Sequence, residues 1–317
     1  MKNSYSNIFN FNKKILHKTI INLKKGNVVG LPTETVYGLA GNAYMSESIN
    51  KIYKFKNRPK RNPLIIHYFD YKDADKDVIL NKNFYKLYKK FCPGPITFIL
   101  KRKKNCKIKF SATANLNSVA IRFPKHRIMN SLLKNIEFPL AMPSANKSSR
   151  VSPVSAKNVA DEFQKKIKII IDGGKANLGI ESTVIDLTGH PKILRPGLIT
   201  PENLSQVLKI KVNIINKNKT FKSPGLLRKH YSPGIPVIIN QKKCKKNCAL
   251  ITFGKKYENR KNFYNLSRTS NLKEAASKLY ETFRKIKKNR YKKIYVVKIP
   301  NKGIGIAIND RLKRASN

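Results

Sequence analysis

The sequence predicts an α/β protein of two units, and three observations support this fold class. Over about 200 residues, short apolar runs typical of strands alternate with segments of helical periodicity. A stretch rich in lysine, asparagine, glycine and proline then interrupts the alternation. A shorter β–β–α–β pattern follows and predicts a small parallel layer. We therefore expect units at residues 1–212 and 236–317, joined by a linker at residues 213–235.

Apolar spacing and capping residues place the elements of the first unit. Residues 13–25 have helical spacing and are followed by Gly26, a suitable helix stop. Ser46 suits the start of a second helix. Strands are predicted at residues 28–31, 64–67, 96–100, 119–123, 140–142 and 167–171. A hairpin is predicted at residues 183–187 and 193–195.

The second unit is predicted to contain strands at residues 237–239, 249–253 and 294–297 and a helix at residues 272–288. The linker before it ends in SPGLLRKHYSP, which brings Arg228, His230 and Tyr231 close together. Flexible spacers rarely carry such residues, so the linker is predicted to have a function of its own.

The charge is strongly positive, with 67 Lys and Arg against 17 Asp and Glu, a formal net charge of +50. Such a chain can bind nucleic acid, because cations neutralise phosphates and release counterions. The alternative is compositional drift, which the even spread of a mostly lysine excess favours. A selected nucleic-acid surface more often uses arginine and interleaved aromatic residues.

Four cysteines are too few for a disulfide scaffold and fit a reducing cytoplasm. Cys244 and Cys248 would need two further ligands to hold zinc, and the five histidines do not cluster near them, so no protein-bound metal is expected. No run approaches the length of a membrane helix, and the first residues show no signal core. We expect a cytoplasmic protein without membrane contact, although the basic start leaves a transit-like role open.

Several loops carry polar residues where strands end. Residues 31–39, LPTETVYGL, follow a strand and would place hydroxyl groups at a sheet edge; the alternative is a helix start capped by Thr33 or Thr35. In residues 56–64, KNRPKRNPL, two prolines fix a loop of four cations that suits phosphate recognition; the alternative is a solvated helix end. Residues 143–153 and 179–183 are hydroxyl-rich segments that could bind phosphate or ribose, or form ordinary turns.

In combination and order, these motifs resemble the two-domain threonylcarbamoyl-AMP synthases. The matching segments are LPTETVYGL (31–39), KNRPKRNPL (56–64), PGPITFIL (93–100), VAIRFP (119–124), PSAN (143–146), GIESTVID (179–186), LRPG (194–197), the linker SPGLLRKHYSP and the tail GIGIAINDRLKRAS (303–316). The resemblance implies a YrdC-like twisted mixed β-sheet with flanking helices, a linker that covers the active site, and a small Rossmann-like α/β C-terminal domain. Cys92 stands where the family usually has tryptophan, and Ser149 where it commonly has glycine.

The resemblance also implies a reaction. Members of this family combine L-threonine, bicarbonate and ATP into threonylcarbamoyl-AMP and release pyrophosphate, a nucleotidyl transfer. This is the first step of threonylcarbamoyladenosine formation beside the tRNA anticodon. The implied partners are a downstream tRNA threonylcarbamoyl transferase complex and a weak contact with tRNA, with Mg²⁺ brought by ATP.

The family's functional residues map onto matching positions of this sequence. Lys56 and Arg58 are the implied catalytic residues, which bind the phosphates. The implied ATP-binding residues are Lys56, Arg58, Asn62, Ser118, Ser144, Ser152, Arg195 and Tyr231. The implied threonine-binding residues are Thr35, His67, Arg122, Met142 and Ser182. Glu34 and Glu181 are implied to orient neighbouring groups or an ion.

Two other functions stay open at this stage. One is an RNA-binding module of the same fold without synthase activity. The other is a carbamoyl transferase of metalloenzyme maturation, which normally carries zinc-finger and acylphosphatase regions that this sequence does not contain.

Overall fold

A computed structural model of the chain describes residues 5–215 and 230–317. Arg228 of the predicted linker lies outside the described residues. The helices are α1 (Lys13–Lys24), α2 (Ser46–Lys56), α3 (Tyr71–Asp75), α4 (Lys82–Phe91), α5 (Arg127–Lys134), α6 (Ala156–Phe163), α7 (Pro201–Leu208), α8 (Leu272–Lys288) and α9 (Ile304–Ser316). Short 3₁₀ segments cover Phe110–Thr113 and Gln164–Lys166.

The strands belong to two sheets. The first sheet contains β1 (Ile8–Asn10), β2 (Val29–Leu31), β3 (Gly38–Asn42), β4 (Ile65–His67), β5 (Ile96–Lys101), β6 (Ser118–Arg122), β7 (Leu140–Ala141), β8 (Ile170–Asp172), β9 (Thr183–Asp186), β10 (Lys192–Arg195) and β11 (Asn213–Ile214). The second contains β12 (Val237–Ile238), β13 (Ala249–Thr252), β14 (Phe263–Asn265) and β15 (Ile294–Val296).

The first sheet is mixed, with strand order β1-β8-β2-β3-β7-β4-β6-β5-β9-β10-β11. β4 and β6 are parallel and place His67 beside Arg122. β5 is antiparallel to β6 and places Thr97 on the other side of Arg122. The register therefore sets three polar side chains in one row across neighbouring strands.

The two faces of this sheet have different roles. Ile66, Phe98 and Ile121 point to one face and form the main hydrophobic core with residues of α2 and α4. His67, Thr97 and Arg122 are their immediate chain neighbours, so they point to the opposite face, because side chains alternate along a strand. The core helices thus leave the polar row free to line a site.

The segment between β2 and β3 corrects one alternative from the sequence. A helix start capped by Thr33 or Thr35 is wrong, because β2 and β3 pair antiparallel around this segment. The Thr33 hydroxyl accepts the backbone N–H groups of Thr35 and Val36, each at 3.2 Å. Threonine can cap a tight turn as well as a helix, and here it closes the turn between two strands.

The second sheet is parallel throughout its described strands, as the sequence predicts, and its strand order is β12-β15-β13-β14. The prediction did not include β14 and α9. The predicted hairpin is confirmed as the antiparallel pair β9 and β10. The boundaries at residues 212 and 236 stay predictions; β11 begins at Asn213 and pairs with β10 of the first sheet.

The two sheet units are in close contact. Gly179 has a φ of +72°, and a Cβ atom there would lie 2.5 Å from the Ser277 carbonyl oxygen of α8. Val36 and Ile180 share a buried cluster with Leu279 of α8. Residues of the site motifs are therefore part of the hydrophobic core of the second unit. None of the helices in residues 5–215 and 230–317 has the length and apolar character to cross a membrane.

Candidate active site

One pocket gathers many of the predicted residues, and it is a cleft of about 500 Å³ that is partly open to solvent. Its walls come from the β2–β3 turn, the cationic loop after α2, the ends of β4 and β6, the loop after β7 and the end of the linker. Eight residues that the sequence assigned to the site line it: Arg58, His67, Arg122, Met142, Ser144, Glu181, Arg195 and Tyr231. The others lie around or beyond its walls.

Arg122 lies at the end of β6 and is almost fully buried. Its Nη2 donates to Glu34 Oε1 and to the Thr35 hydroxyl, each at 2.8 Å. Its Nε and Glu34 Oε2 have no hydrogen-bond partner among the described residues. The ion pair fixes the plane of the guanidinium group and leaves buried hydrogen-bonding capacity unused, which suits recognition of a carboxylate ligand.

His67 stands beside Arg122, and neither of its ring nitrogens has a partner in the described part of the chain. Burial lowers the pKa of His67 from 6.5 to about 3, and the charge of Arg122 adds to the effect. The imidazole is therefore neutral at neutral pH. A neutral imidazole offers one donor and one acceptor to a ligand.

The cationic loop after α2 is ordered by hydrogen bonds rather than solvated. Arg58 donates from Nε to the Asn62 carbonyl at 3.0 Å and from Nη2 to Asn62 Oδ1 at 2.6 Å and the Pro63 carbonyl at 2.8 Å. Burial lowers the pKa of Arg58 to about 10, so it stays charged at neutral pH. The alternative of a solvated helix end is wrong for Arg58 and Lys56, which are buried, although Lys60 and Arg61 are exposed.

Lys56 does not line the pocket but ties the loops that form it. Its Nζ donates to the carbonyls of Ser144 and Asn146, each at 2.5 Å. Burial, and secondarily the charge of Arg58, lowers the pKa of Lys56 well below its ordinary value. Lys56 therefore connects the end of α2 to the loop after β7, and its predicted contact with phosphate stays a prediction.

Arg195 and Ser182 are joined by two hydrogen bonds. Arg195 donates from Nε to the Ser182 carbonyl and from Nη2 to the Ser182 hydroxyl, each at 3.1 Å. The Ser182 hydroxyl also shares a 2.7 Å hydrogen bond with the Thr97 hydroxyl. Ser182 thus joins the polar row of β5 and β6 to Arg195 at the end of β10.

Ser118 lies apart from this group. It begins β6, whereas Arg122 ends it, so the two are separated by roughly 13 Å on the same face of the strand. Ser118 lines a separate groove with Ile99 and Leu116. Between these ends lies a small apolar cluster made of Ile65, Ile99, Ala120, Val184 and Leu194. A ligand that reaches both Arg122 and Ser118 must cross this apolar floor.

Glu181 connects the pocket to the second unit. It accepts from the Ser152 hydroxyl at 2.6 Å, from the Tyr280 hydroxyl at 2.9 and 3.1 Å, and from Arg311 Nε at 3.0 Å. Burial acts to raise the pKa of Glu181, but the charges of Arg311 and Arg195 outweigh it and lower the pKa to about 2. Glu181 is therefore a permanent anion held by a residue of α8 and a residue of α9.

The end of the linker is held in the same network. Tyr231 is fully buried and stacks on Tyr280, with ring centroids 5.6 Å apart and planes 21° apart. The Arg311 guanidinium lies 5.2 Å from the centre of the Tyr231 ring. The His230 backbone N–H donates to the Arg314 carbonyl at 3.1 Å. Tyr231 is thus fixed between the pocket it lines and the second unit.

The sequence did not assign Tyr280 and Arg311, which hold Glu181, nor several residues that line the pocket: Thr33, Val36, Tyr37, Gly38, Ile65, Pro143 and His230. Arg311 lies in the tail motif, which was matched to the family without a role for any residue. Tyr280 has no signal beyond the helical spacing of α8. Their contacts with Glu181 are evident only from the structure, in which α8 and α9 pack against this residue.

Comparisons with known proteins agree with this architecture. The family Sua5_yciO_yrdC, described as telomere recombination, matches residues 22–197, and the C-terminal domain of threonylcarbamoyl-AMP synthase matches residues 199–317. A threonylcarbamoyl-AMP synthase of Pyrococcus abyssi is 36% identical over 93% of this chain and 92% of its own length. One of Bacillus subtilis is 34% identical over 93% of this chain and 90% of its own length.

The fold comparison leads to the same group. The crystal structure of P. abyssi Sua5 complexed with L-threonine superposes with a TM-score of 0.89 at 31% identity, covering 98% of this chain and 97% of that chain. The YrdC-like mixed sheet with a second α/β unit is therefore confirmed, as is the resemblance found in the sequence. The chain belongs to the Sua5_yciO_yrdC family and, within it, to the two-domain threonylcarbamoyl-AMP synthases.

Proposed function

We propose that this chain is a nucleotidyltransferase that condenses L-threonine, bicarbonate and ATP into threonylcarbamoyl-AMP and releases pyrophosphate. The observation that carries the proposal is one pocket in which three buried arginines, Arg58, Arg122 and Arg195, line a common space. The relatives carry this activity in their names, and the P. abyssi structure contains L-threonine.

Threonine binds at the polar row of the sheet in this proposal. Arg122 receives the α-carboxylate, since its guanidinium is held in plane by Glu34 and has an unpartnered Nε. The neutral His67 and the Thr35 hydroxyl take the remaining polar groups of the amino acid. Met142 contributes backbone contacts, and Ser182 supports the row through Thr97.

ATP occupies the rest of the pocket. Arg58 and Arg195 bind the phosphates, with Asn62 orienting Arg58 and Lys56 holding the loop after β7 against the end of α2. The nucleoside lies on the apolar floor and extends toward Ser118. Ser144 and Ser152 belong to the loop that borders the nucleotide, and Ser152 acts through its hydrogen bond to Glu181. Tyr231 covers the complex.

The proposed chemistry needs no protein nucleophile. Bicarbonate loses hydroxide to give carbon dioxide, and the threonine amine forms an N–C bond to that carbon and loses a proton. The hydroxide and the proton leave as water, and the product is a carbamate. A carbamate oxygen then forms a bond to the α-phosphorus of ATP while the bond from that phosphorus to pyrophosphate breaks. Catalysis comes from positioning and from cations at the phosphates, and each such group can contribute about 2–4 kcal/mol to transition-state stabilisation. A covered pocket also excludes water from the carbamate and the mixed anhydride.

Mg²⁺ enters this proposal as part of the ATP substrate. Glu34 and Glu181, the carboxylates nearest the pocket, are paired with Arg122 and Arg311. Within the described ranges, no three His, Cys, Asp or Glu side chains lie close enough to hold an ion together. This fits a Mg²⁺ ion that keeps phosphate oxygens and water as its ligands and neutralises phosphate charge.

The product is a mixed anhydride that a second enzyme must consume on tRNA. We propose that the recipient is a tRNA threonylcarbamoyl transferase complex and that both act in the cytoplasm.

Arg58→Ala tests the phosphate assignment, with pyrophosphate release in the presence of threonine and bicarbonate as the measurement. We expect the variant to lose at least about 100-fold in kcat/KM, because a buried cation no longer faces the phosphates. Lys60→Ala is the matched control, since Lys60 is exposed in the same loop and should leave the rate unchanged. Equal rates for Arg58→Ala and Lys60→Ala would refute the assignment. If the wild-type chain released no pyrophosphate, the proposed synthase activity would be wrong and the alternative, an RNA-binding module of the same fold, would be favoured.

A further inference from the structure

Among the described residues, a dense group of cations lies outside the active site, on the second unit. Parallel strands bring their amino ends to one edge of a sheet, and at this edge three segments meet: residues 242–246, 260–261 and 288–293. We name these residues the basic edge. They contain ten cations and no acidic residue in thirteen positions, whereas the whole chain has 67 cations in 317.

Hydrogen bonds show that the three segments are neighbours in space. The Lys292 backbone N–H donates to the Asn247 carbonyl at 3.1 Å. The Tyr291 hydroxyl donates to the Lys261 carbonyl at 3.4 Å. The cations of the basic edge are exposed. One of these cations, Arg260, is paired with Glu258, which lies two positions before it. The fold therefore converts separate lysine runs into one continuous cationic surface.

Aromatic residues interleave with these cations. The rings of Tyr264 and Tyr291 meet edge to face, with centroids 6.1 Å apart and planes at 86°. Asn289 donates to the Tyr264 hydroxyl at 2.8 Å and fixes this pair. Both tyrosines are partly exposed. Aromatic faces among lysines provide stacking for bases beside point charges for phosphates.

We propose that the basic edge is an RNA-binding surface, separate from the catalytic pocket. Lysine-rich loops with a tyrosine pair suit a phosphate backbone with accessible bases. A lipid surface is less well matched, because none of the large exposed hydrophobic side chains among residues 5–215 and 230–317 lies in these segments. The edge follows the carboxyl end of α8, roughly 12 Å along the helix from Tyr280, so bound RNA would lie beside the pocket without filling it.

The test compares two charge-matched variants of the full-length protein. The edge variant combines Lys243→Gln, Lys246→Gln, Lys292→Gln and Lys293→Gln. The control combines Lys255→Gln, Lys273→Gln, Lys298→Gln and Lys302→Gln, which are exposed and follow the carboxyl ends of the same sheet. Binding of a labelled unmodified tRNA transcript is measured from about 50 to 200 mM salt, without threonine or ATP.

We expect the edge variant to bind at least about tenfold more weakly and its salt slope to fall by about 3, and the control to stay within about twofold. Equal losses in both variants would show that affinity follows net charge and would overturn the proposal, as would no loss in either. Tighter binding of the wild type to phosphatidylserine vesicles or to polyglutamate than to tRNA would also overturn it. Pyrophosphate release should be unchanged in both variants, so this result is independent of the proposed synthase activity.

Discussion

The two ends of the pocket differ in how their buried carboxylates are hydrogen-bonded, although unpartnered polar atoms occur at both. At the threonine end, formed by Glu34, His67 and Arg122, one carboxylate oxygen, both imidazole nitrogens and the arginine Nε lack partners among the described residues. At the anchored end, both oxygens of Glu181 accept hydrogen bonds, from Ser152, Tyr280 and Arg311. On the side of the second unit, the Tyr231 hydroxyl, His230 Nδ1 and Arg311 Nη2 also lack partners among the described residues. Both ends are buried, so burial does not explain the difference between the two carboxylates.

The two carboxylates differ in role: Glu34 lies among groups available to a ligand, whereas Glu181 stabilises the contact between the two units. An unpaired buried polar group costs about 1–3 kcal/mol, so several together mark a place where a ligand supplies the missing partners. A fully paired buried anion acts instead as a scaffold. The second unit therefore shapes the pocket through Glu181 and Tyr231 without lining the threonine end itself.

The largest expected effect comes from breaking the anchored end. Glu181→Ala removes the buried carboxylate that contacts Arg311 Nε and leaves Arg311 with Asp310 and the Pro196 carbonyl. This should destabilise the fold by about 3 kcal/mol and lower the melting temperature by about 5 °C. Glu281→Ala is the control, because Glu281 forms an exposed ion pair with Lys175 that contributes less than about 1 kcal/mol. Thermal unfolding of both variants measures this. Equal melting temperatures would show that the Glu181 network does not hold the two units together.

The next effect is on the threonine end. Arg122→Lys keeps the charge but loses the planar fork, so the KM for threonine should rise about 10- to 100-fold while that for ATP changes less. Steady-state pyrophosphate release at varied threonine and ATP measures both constants. Arg127→Lys, an exposed change at the start of α5, should alter neither. A larger rise in the KM for ATP would contradict the assignment of Arg122 to the threonine carboxylate and would indicate that Arg122 binds the phosphates.

His67→Ala should have a smaller effect of the same kind, because it removes one neutral hydrogen-bonding group. We expect the KM for threonine to rise about 3- to 10-fold and to rise more than the KM for ATP. His190→Ala, which removes an exposed histidine, is the control. The reverse order of the two KM changes would contradict the placement of His67.

The smallest effect is expected from pH in the neutral range. Since the pKa of His67 is about 3 in the folded chain, the KM for threonine should show no inflection near 6.5 that depends on His67. The same lowered values for His67 and His230 stabilise the fold above pH 6.5, the ordinary histidine value. This stability is lost as the pH falls from 6.5 toward 3, by up to about 1.4 kcal/mol per pH unit for each histidine. If the KM for threonine showed an inflection near pH 6.5 that disappears in His67→Gln, His67 would not be neutral throughout this pH range, contrary to this prediction.

Local patterns in the sequence predicted most of the first sheet and the parallel second sheet, because apolar spacing specifies strands and helices. The β2–β3 turn was ambiguous, since Thr33 can cap a turn or a helix with the same hydrogen bonds. The contribution of Tyr280 and Arg311 could not be predicted, because each meets Glu181 across about a hundred residues or more of chain. Lys56 shows a further limit: its two carbonyl partners depend on the fold of a loop far along the chain.

The central claim is that one pocket joins threonine, bicarbonate and ATP, and labelled bicarbonate tests it most directly. Purified protein is incubated with ATP and labelled bicarbonate, with and without threonine, and the nucleotides are separated. The account predicts a labelled adenylate that forms only with threonine and matches the pyrophosphate released. Label in an adenylate without threonine, or pyrophosphate release without any labelled adenylate, would contradict it.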